Sequence, residues 1–352
     1  MRPDRNFWAG KRVLVTGHTG FKGGWLTLWL QRLGAHVSGI SLQPNTQPNL
    51  FGAAKIASVC DSHFCDIRNQ DVFSPLIKNL RPEIVFHLAA QPLVRYSYKK
   101  PAETFNSNIM GTVNLLDALR NLNSIKAAVM VTTDKVYRNN EWTWPYREDD
   151  ILGGHDPYSA SKAASELVIA SYRDSFLGQQ GVAIASARAG NVIGGGDWSK
   201  DRIIPDAIRA WQNEKPIEIR HPNSVRPWQH VLEPLEGYII LAEQLCENIS
   251  LAGPYNFGPS LRETVTVSDV IDFACKAYGS GKVRSSDIIK GPHEAGLLSL
   301  ETTKARMTLG FESRLTLFEA IQMTVDWYKS QIQGADPRKL CDDDISNYEA
   351  LV

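Results

Sequence analysis

Short runs of apolar and β-branched residues alternate with longer amphipathic stretches over the first 190 positions of the chain. The apolar runs are five to eight residues long and predict strands over 12–16, 35–42, 59–65, 83–88, 127–132 and 182–187. Between them, the pattern predicts helices over 21–33, 70–80, 102–121 and 157–177. Because strands separated by helices pair in parallel through right-handed crossovers, we expect an α/β fold with a doubly wound parallel sheet.

The pattern changes after Gly190, where loops rich in Gly, Pro and Trp separate shorter elements. This change predicts a smaller C-terminal α/β lobe that binds a substrate next to the sheet domain. We assign 1–190, with about 227–258, to the sheet domain, and 191–226 with 259–335 to the lobe. The polar stretch 336–352 is expected to be a loosely held tail.

Composition narrows the possible partners and the compartment. The 352 residues include 38 Lys+Arg and 38 Asp+Glu, so the basic footprint of a nucleic-acid-binding chain is missing. Five scattered cysteines fit free thiols in a reducing compartment better than a disulfide framework. The N-terminus has no apolar run behind its charges, and the uncharged stretch 33–54 contains two prolines and three glycines. We therefore expect a cytoplasmic protein without a membrane span.

A glycine-rich turn follows the first predicted strand. Its glycines, Gly17, Gly20 and Gly23, have GxxGxxG spacing between a strand and a helix. Glycine permits a tight turn and a close approach to a pyrophosphate, and the helix N-terminus offers free N–H groups. The turn therefore predicts a dinucleotide site, although an ordinary glycine-rich turn has the same composition. The residues expected to touch the cofactor here are Gly17, Thr19, Gly20, Phe21, Lys22 and Gly23.

The second predicted strand ends without the carboxylate that usually binds the ribose hydroxyls. This end, residues 39–42, therefore leaves NAD and NADP both open. Asp66 and Ile67, which follow the third strand, are candidates to hold the adenine. The alternative for Asp66 is a helix cap or a turn residue.

A Tyr-x-x-x-Lys pair occurs twice. Lys100 of the pair Tyr96/Lys100 precedes a proline, which disfavours one continuous helical face, so we dismiss this pair. Tyr158 and Lys162 lie one turn apart on a predicted helix and share a face. A nearby ammonium and a cationic nicotinamide would lower the pKa of the tyrosine and allow Tyr158 to act as a base. The alternative is an exposed pair without a catalytic role.

These motifs together resemble the extended short-chain dehydrogenase/reductase family. Besides the glycines and the Tyr158/Lys162 pair, the segments 87–91 (HLAAQ) and 108–112 (NIMGT) match the family's order and spacing. The resemblance implies a Rossmann-like sheet domain with a tightly held NAD(P) and a C-terminal substrate lobe. It adds Leu88, Ala89, Ala90 and Asn108 to the expected cofactor site.

Within this family the segment 131–137 (VTTDKVY) is similar to the sugar-nucleotide 4,6-dehydratases. Epimerases usually have small, non-ionisable residues where this chain has Asp134 and Lys135. Dehydratases have Asp-Glu there, or Asp-Lys in one branch, whose motifs at 17–25, 188–198 and 225–231 also match. That branch implies a cytidine diphosphate sugar as substrate. The alternative for the pair is a salt bridge at the end of a strand.

The resemblance also implies a role for each catalytic candidate. Tyr158 would be the base at the C4 hydroxyl, Lys162 would hold the cofactor ribose and lower the tyrosine pKa, and Thr133 would bind the developing C4 oxyanion. Asp134 would be the acid at the C6 hydroxyl and Lys135 the base at C5, which requires a protonated Asp134 and a neutral Lys135. No metal is required.

Cations are needed for the substrate's diphosphate, and Arg226 is the strongest candidate because guanidinium binds phosphate bidentately. Arg202 could equally be a solvated charge at the start of a helix. The expected substrate-binding residues are Gln91, Thr133, Asn191, Arg202, Arg226 and His293. The resemblance further implies a homodimer or homotetramer, assembled through the helices 102–121 and 157–177. Because both expected ligands are anionic and the net charge is zero, positive charge should concentrate at the site.

Overall fold

One seven-stranded parallel sheet organises the chain in the computed structural model, which describes residues 1–285 and 296–351. The strands of the described part are β1 (Arg12–Thr16), β2 (His36–Ser41), β3 (Asp61–Phe64), β4 (Ile84–His87), β5 (Ala127–Val131), β6 (Ala183–Ala189), β7 (Asn191–Ile193), β8 (Ile217–Ile219), β9 (Val225–Arg226), β10 (Trp228–His230), β11 (Gly253–Phe257), β12 (Val265–Thr266) and β13 (Val283–Ser285). The large sheet has the order β11-β6-β5-β4-β1-β2-β3, and its neighbouring strands run parallel. The predicted doubly wound sheet is confirmed.

Helices cover both faces of this sheet, and further helices pack beside it in the region after β6. They are α1 (Arg5–Trp8), α2 (Phe21–Arg32), α3 (Leu50–Ala53), α4 (Gln70–Leu80), α5 (Val94–Lys99), α6 (Pro101–Phe105), α7 (Gly111–Leu119), α8 (Pro157–Tyr172), α9 (Ile203–Gln212), α10 (Leu232–Glu247), α11 (Val267–Tyr278), α12 (Thr303–Leu309), α13 (Leu317–Ile332) and α14 (Pro337–Ala350). Alternate residues of β1 show the layering: Val13 and Val15 pack with α2 and α10, whereas Leu14 packs with α4, α7 and α8. Burial on both faces explains the continuous apolar runs in the sequence.

The strand order reverses between β1 and β4, since β2 follows β1 on one side and β4 lies on the other. Connections leave this point in opposite directions, and a crevice opens beyond the carboxyl ends of the two strands. The glycine turn after β1, the loop after β4 and the segment after β5 all face this crevice. The topology therefore brings together motifs that lie more than 100 residues apart in sequence.

Two predicted helices are interrupted. The stretch 102–121 is α6, one π-helical turn over Asn106–Met110, and then α7. The stretch 157–177 is α8 followed by a π-helical turn over Arg173–Leu177. Such turns often occur at functional sites, and the first one contains the predicted cofactor residue Asn108.

Short strand pairs dominate the region after β6. β7 pairs with β10 and β8 pairs with β13, both parallel, while β9 pairs with β12 antiparallel. α10 and β11 then return to the large sheet, where β11 extends the edge beside β6. The division into a sheet domain and an interleaved lobe, with its bounds, stays a prediction.

The expectation of a loosely held C-terminal tail is wrong. Residues 337–350 form α14, whose Cys341, Ile345 and Tyr348 are buried in the core around α2 and α10. Glu349 accepts hydrogen bonds from Trp29 Nε1 at 2.9 Å and Arg32 Nε at 3.0 Å. The polar composition of the segment hid an apolar stripe with spacings of four and three residues, which is sufficient to dock one helical face.

Candidate active site

The glycine turn is built as a close strand-to-helix connection. Gly17 has φ +80°, and a Cβ there would lie 2.8 Å from the Ala89 nitrogen. A Cβ on Gly23 would lie 2.1 Å from the Gly17 carbonyl oxygen, whereas one on Gly20 would meet that oxygen only at 3.3 Å. Gly17 and Gly23 therefore make the turn possible, while Gly20, the N-cap of α2, leaves the helix N-terminus open towards the crevice.

The crevice is large enough for two ligands. Its volume is about 1560 Å³, above the roughly 300–1,000 Å³ of a typical small-molecule site. The predicted cofactor residues that line it are Gly17, Thr19, Gly20, Phe21, Lys22, Gly23, Asp66, Ile67, Leu88, Ala89, Ala90, Tyr158 and Lys162. An open helix N-terminus, a glycine floor and apolar walls fit a dinucleotide.

Asn108 braces the crevice from behind. Its Oδ1 accepts from the Gln91 backbone nitrogen at 2.8 Å, and its Nδ2 donates to the Gln91 carbonyl at 3.1 Å and to Ser161 Oγ at 2.8 Å. The residue thus joins the loop after β4 to α8. It is buried and holds the cofactor loop in place through these bonds.

Asp66 and the end of β2 are both considered from sequence for contacts with the adenosine half of the cofactor. Asp66 accepts hydrogen bonds from the Arg68 guanidinium, at 2.6 Å for Oδ2, and the hydrogen bond with Arg68 lowers the pKa of its carboxyl. Ser41, at the end of β2, shares a hydrogen bond of 2.7 Å with Thr19. The β2 end therefore presents hydroxyls, and the nearest acid, Asp66, is already paired with a cation.

The dehydratase-like segment lies directly after β5. Asp134 is buried, and its Oδ1 accepts from Thr133 Oγ1 at 2.9 Å and lies 3.6 Å from Lys135 Nζ. Its Oδ2 is buried without a hydrogen-bond partner among the described residues. The salt bridge considered from sequence is thus present, and it leaves Oδ2 unpaired. Thr133 and Lys135 line the crevice, whereas Asp134 is buried behind them and is not among the described lining residues.

Tyr158 and Lys162 lie on α8 opposite this segment, and both line the crevice. Burial raises the pKa of Tyr158 to about 12, although the hydrogen bond with Thr133 and the Arg202 charge oppose this effect. Lys162 Nζ donates to the Val131 carbonyl at 2.8 Å, and burial lowers the pKa of this lysine to about 8. The expected lowering of the tyrosine pKa by Lys162 is therefore not produced by the protein's own groups.

Lys22 is a further cation at this centre. It is half-buried in the first turn of α2, with Nζ 5.9 Å from the centroid of the Tyr238 ring. Burial and the Arg202 charge lower the pKa of Lys22 to about 7, against the opposing charge of Asp134. The sequence motif marked this lysine only as a cofactor contact, whereas the fold places its charge beside the acid–base pair.

The predicted substrate residues divide into two groups. Asn191, Arg202 and Arg226 line the crevice, and Arg226 Nη1 donates to the Val225 carbonyl at 2.8 Å. Arg202 is not a solvated charge, because its Nη1 binds the buried Asp197 at 2.7 Å. Gln91 also lines the crevice, but its amide is bonded within the protein: Nε2 donates to Thr104 Oγ1 on α6 at 2.9 Å, and Oε1 accepts from the Leu93 nitrogen at 2.6 Å. His293 lies outside the described residues.

Sequence reasoning missed two arginines of the crevice. Arg95 on α5 and Arg220 after β8 flank Asp201, with closest distances of 3.6 Å and 3.3 Å. Both follow carboxyl ends of parallel strands, which is the signal that could have identified them. Among the described lining residues, eleven are Lys or Arg and seven are Asp or Glu, so the balanced chain concentrates positive charge at this site.

Other motifs have structural explanations. His87 is buried with Nδ1 2.7 Å from Thr16 Oγ1, and burial lowers its pKa to about 3. Lys100 lies beyond the end of α5, so the dismissed pair is not on one helix, and Tyr96 Oη donates to Glu103. His63 bonds Asp61, and the described residues include no cluster of His, Cys, Asp or Glu that could hold a metal ion. None of the described helices is long and apolar enough to cross a membrane.

A family model for GDP-mannose 4,6 dehydratase matches residues 14–324. The chain is 48% identical to the CDP-glucose 4,6-dehydratase of Salmonella typhimurium, and the match covers 98% of both chains. It is 27% identical to the dTDP-glucose 4,6-dehydratase of Xanthomonas campestris, over 91% of this chain and 95% of that one.

Solved structures share the fold at lower identity. The NAD complex of dTDP-glucose 4,6-dehydratase from Bacillus anthracis superposes with a TM-score of 0.76 at 22% identity, covering 93% of this chain and 99% of the other. The UDP-glucose-4-epimerase of Stenotrophomonas maltophila, solved with bound NAD, superposes with a TM-score of 0.79 at 22% identity, covering 92% of this chain and 99% of the other. The sheet and the crevice thus belong to a shared architecture.

Proposed function

Since the chain belongs to the GDP-mannose 4,6-dehydratase family, we propose that it is an NAD-dependent 4,6-dehydratase whose substrate is CDP-glucose. The observation that carries the proposal is the grouping of Thr133, Asp134 and Lys135 directly after β5, where Thr133 and Lys135 line the crevice with Tyr158 and Asp134 is buried beside them. An epimerase has no use for an acid and a base beside the oxyanion donor. The high identity with a CDP-glucose enzyme supports the choice of nucleotide.

Residues on α8 and residues directly after β5 carry out different steps of the reaction from two sides of the crevice. Tyr158 removes the proton of the C4 hydroxyl, and Thr133 donates a hydrogen bond to the oxygen that becomes the C4 ketone. The ketone acidifies the proton on C5. Lys135 removes that proton while Asp134 protonates the C6 hydroxyl, which leaves as water. The glycine turn and Lys162 would hold NAD, which would supply the hydride acceptor for C4 and the hydride donor for C6 and so keep the reaction redox-neutral.

The ion pair after β5 supplies both reactive forms. A carboxylate and an ammonium 3.6 Å apart differ from a carboxylic acid and an amine only in the position of one proton. Transfer of that proton from Lys135 to Asp134 creates the base for C5 and the acid for C6 in one step. The buried, unpartnered Oδ2 of Asp134 is the oxygen we assign to the C6 hydroxyl.

Tyr158 needs help to ionise. Its pKa of about 12 reflects burial, which the Arg202 charge and the hydrogen bond with Thr133 only partly oppose, so the positive charge of a bound oxidised nicotinamide would have to lower it further. For the substrate, Arg226, Arg202 and Asn191 would hold the diphosphate and sugar. Residues 1–190 with about 227–258 would form the cofactor domain, and 191–226 with 259–335 the substrate lobe.

We further propose a cytoplasmic homodimer or homotetramer that supplies a deoxysugar for surface polysaccharide such as the O-antigen of lipopolysaccharide. Exposed apolar side chains on the π-helical turn and α8, among them Met110 and Leu167, support pairing through these helices. Light scattering at micromolar concentration tests this assembly, and a monomer contradicts it.

Incubation of the purified protein with CDP-glucose and NAD tests the function. The expected product is CDP-4-keto-6-deoxy-glucose, whose ketone absorbs strongly in alkali. Formation of CDP-galactose indicates a 4-epimerase, and no change with CDP-, UDP-, dTDP- or GDP-glucose indicates a protein without this catalysis. Asp134→Asn and Lys135→Met then separate the roles: Lys135→Met should abolish exchange of the C5 proton with deuterated solvent. Undiminished exchange rules out Lys135 as the base.

A further inference from the structure

A buried ion pair lies behind the catalytic residues, outside the crevice. Glu166 on α8 and Arg188 on β6 are both nearly inaccessible, and Arg188 Nη2 lies 2.9 Å from Glu166 Oε2. The described residues that line the crevice do not include either of them. The pair therefore touches no ligand, and the proposed mechanism does not use it.

The carboxylate of Glu166 is saturated by donors from three residues, one directly after β5 and two on β6. Oε1 accepts from Thr132 Oγ1 at 2.5 Å and Arg188 Nε at 3.0 Å, and Oε2 accepts from Ser186 Oγ at 2.7 Å as well as from Arg188 Nη2. Thr132 directly precedes the catalytic Thr133. One buried group on α8 is thus bonded to the strand end that carries the acid–base pair.

The same helix carries the other half of the catalytic group. Glu166 lies one turn after Lys162 and two turns after Tyr158. Lys162 Nζ also bonds the Val131 carbonyl, so α8 and the end of β5 are joined at two consecutive residues, Val131 and Thr132. The separation between Tyr158 and the Thr133–Lys135 segment depends on these two links.

The guanidinium of Arg188 extends the link beyond Lys135. Its Nη1 donates to Tyr137 Oη at 2.9 Å and to the Glu148 carbonyl at 2.8 Å. Tyr137 Oη in turn donates to Asn256 Oδ1 at 2.6 Å. The acid–base segment is therefore tied at both of its ends, through Thr132 before it and Tyr137 after it.

We infer that Glu166 and Arg188 are positioning residues that set the distance between Tyr158, the base for the C4 hydroxyl on α8, and the acid–base pair after β5. Buried ion pairs are poor sources of stability compared with apolar packing, so a geometric role accounts better for this one. The inference rests on the proposed dehydratase function. A displacement of about 1 Å at a catalytic centre lowers rates by roughly 100-fold, which sets the scale of the expected effect.

Two hydroxyl deletions on the same carboxylate test the inference. Thr132→Val removes the bond from Glu166 to the catalytic strand, and Ser186→Ala removes a comparable bond to β6. With CDP-glucose, Thr132→Val should lower kcat at least tenfold with KM changed less than twofold, and Thr132→Ser should restore kcat. Ser186→Ala should keep kcat within twofold of the wild type, although both variants lose one buried hydrogen bond.

Equal kcat values for Thr132→Val and Ser186→Ala overturn the inference, and so does a Thr132→Ser variant no faster than Thr132→Val. Thermal melts of each variant distinguish loss of folding from loss of alignment. If Thr132→Val does not fold, Tyr137→Phe decides: a loss of kcat of at least fivefold at unchanged KM supports the inference, and an unchanged kcat overturns it. An inactive wild type would instead refute the proposed function.

Discussion

Replacement of Lys162 by methionine should stabilise the fold at neutral pH while removing activity. The ammonium is 95% buried, and burial lowers its pKa from 10.5 to about 8. A depression of this size corresponds to about 3 kcal/mol of penalty for the charged form. Loss of the hydrogen bond to the Val131 carbonyl costs about 2 kcal/mol, since its donor is charged. The expected net gain for Lys162→Met is therefore about 1 kcal/mol at pH 7.

The difference in free energy of unfolding between Lys162→Met and the wild type should change sign as the pH rises. Between the folded pKa of about 8 and the unfolded pKa of 10.5, the unfolded chain binds a proton that the folded chain lacks, so the wild type gains stability as pH rises. From pH 7 to pH 9.5 the gain is about 2 kcal/mol. The methionine variant does not share it and should be about 1 kcal/mol less stable than the wild type at pH 9.5.

Urea unfolding of both proteins at pH 7 and 9.5 measures this difference, because titrations common to both cancel. Lys162→Arg is the control: it keeps its charge, starts less stable than the wild type at pH 7, and should lose a further 2 kcal/mol or so relative to it at pH 9.5. A difference between Lys162→Met and the wild type that does not change with pH refutes the reasoning.

Three further substitutions or deletions have definite outcomes. Gly23→Ala places a Cβ 2.1 Å from the Gly17 carbonyl oxygen and should weaken NAD binding at least 100-fold by calorimetry, whereas Gly20→Ala, at 3.3 Å, should weaken it less. Lys22→Met should raise the melting temperature at pH 6, because burial lowers the lysine pKa to about 7 and the charged form is penalised; a lower melting temperature contradicts this. Deletion of 336–352 exposes the core around α2 and should lower the free energy of unfolding by about 4 kcal/mol or more, and an unchanged urea midpoint contradicts it.

The sheet could be predicted because its strands are buried on both faces and leave uninterrupted apolar runs. The family resemblance implied that Thr133 and Tyr158 act on the same hydroxyl, and in the fold the two side chains share a hydrogen bond. The π-helical turn at Asn106–Met110 could not be predicted, as no Gly or Pro inside it interrupts the helical pattern. α14 was missed because three apolar residues are a weak signal among many charges.

Side-chain partners were the least predictable part of the site. Gln91 has the residue type and place of a substrate contact, yet its amide bonds Leu93 in its own loop and Thr104 on α6. Arg202 is held by Asp197, a choice among several nearby acids that only the folded chain resolves. Burial, which raises the pKa of Tyr158 rather than lowering it, likewise depends on packing from many elements.

The docking of α14 has a consequence for how the protein is made. Trp29 and Arg32 on α2 bond Glu349, so α2 leaves the ribosome more than 300 residues before the helix that covers it. The outer side of the cofactor-binding layer therefore stays uncovered until residues 337–350 have been synthesised. A nascent chain can pair β1 with β2 early, but its dinucleotide groove gains the support of α14 only after residues 337–350 have left the ribosome, which makes chaperone capture of the exposed α2 surface most important during that interval.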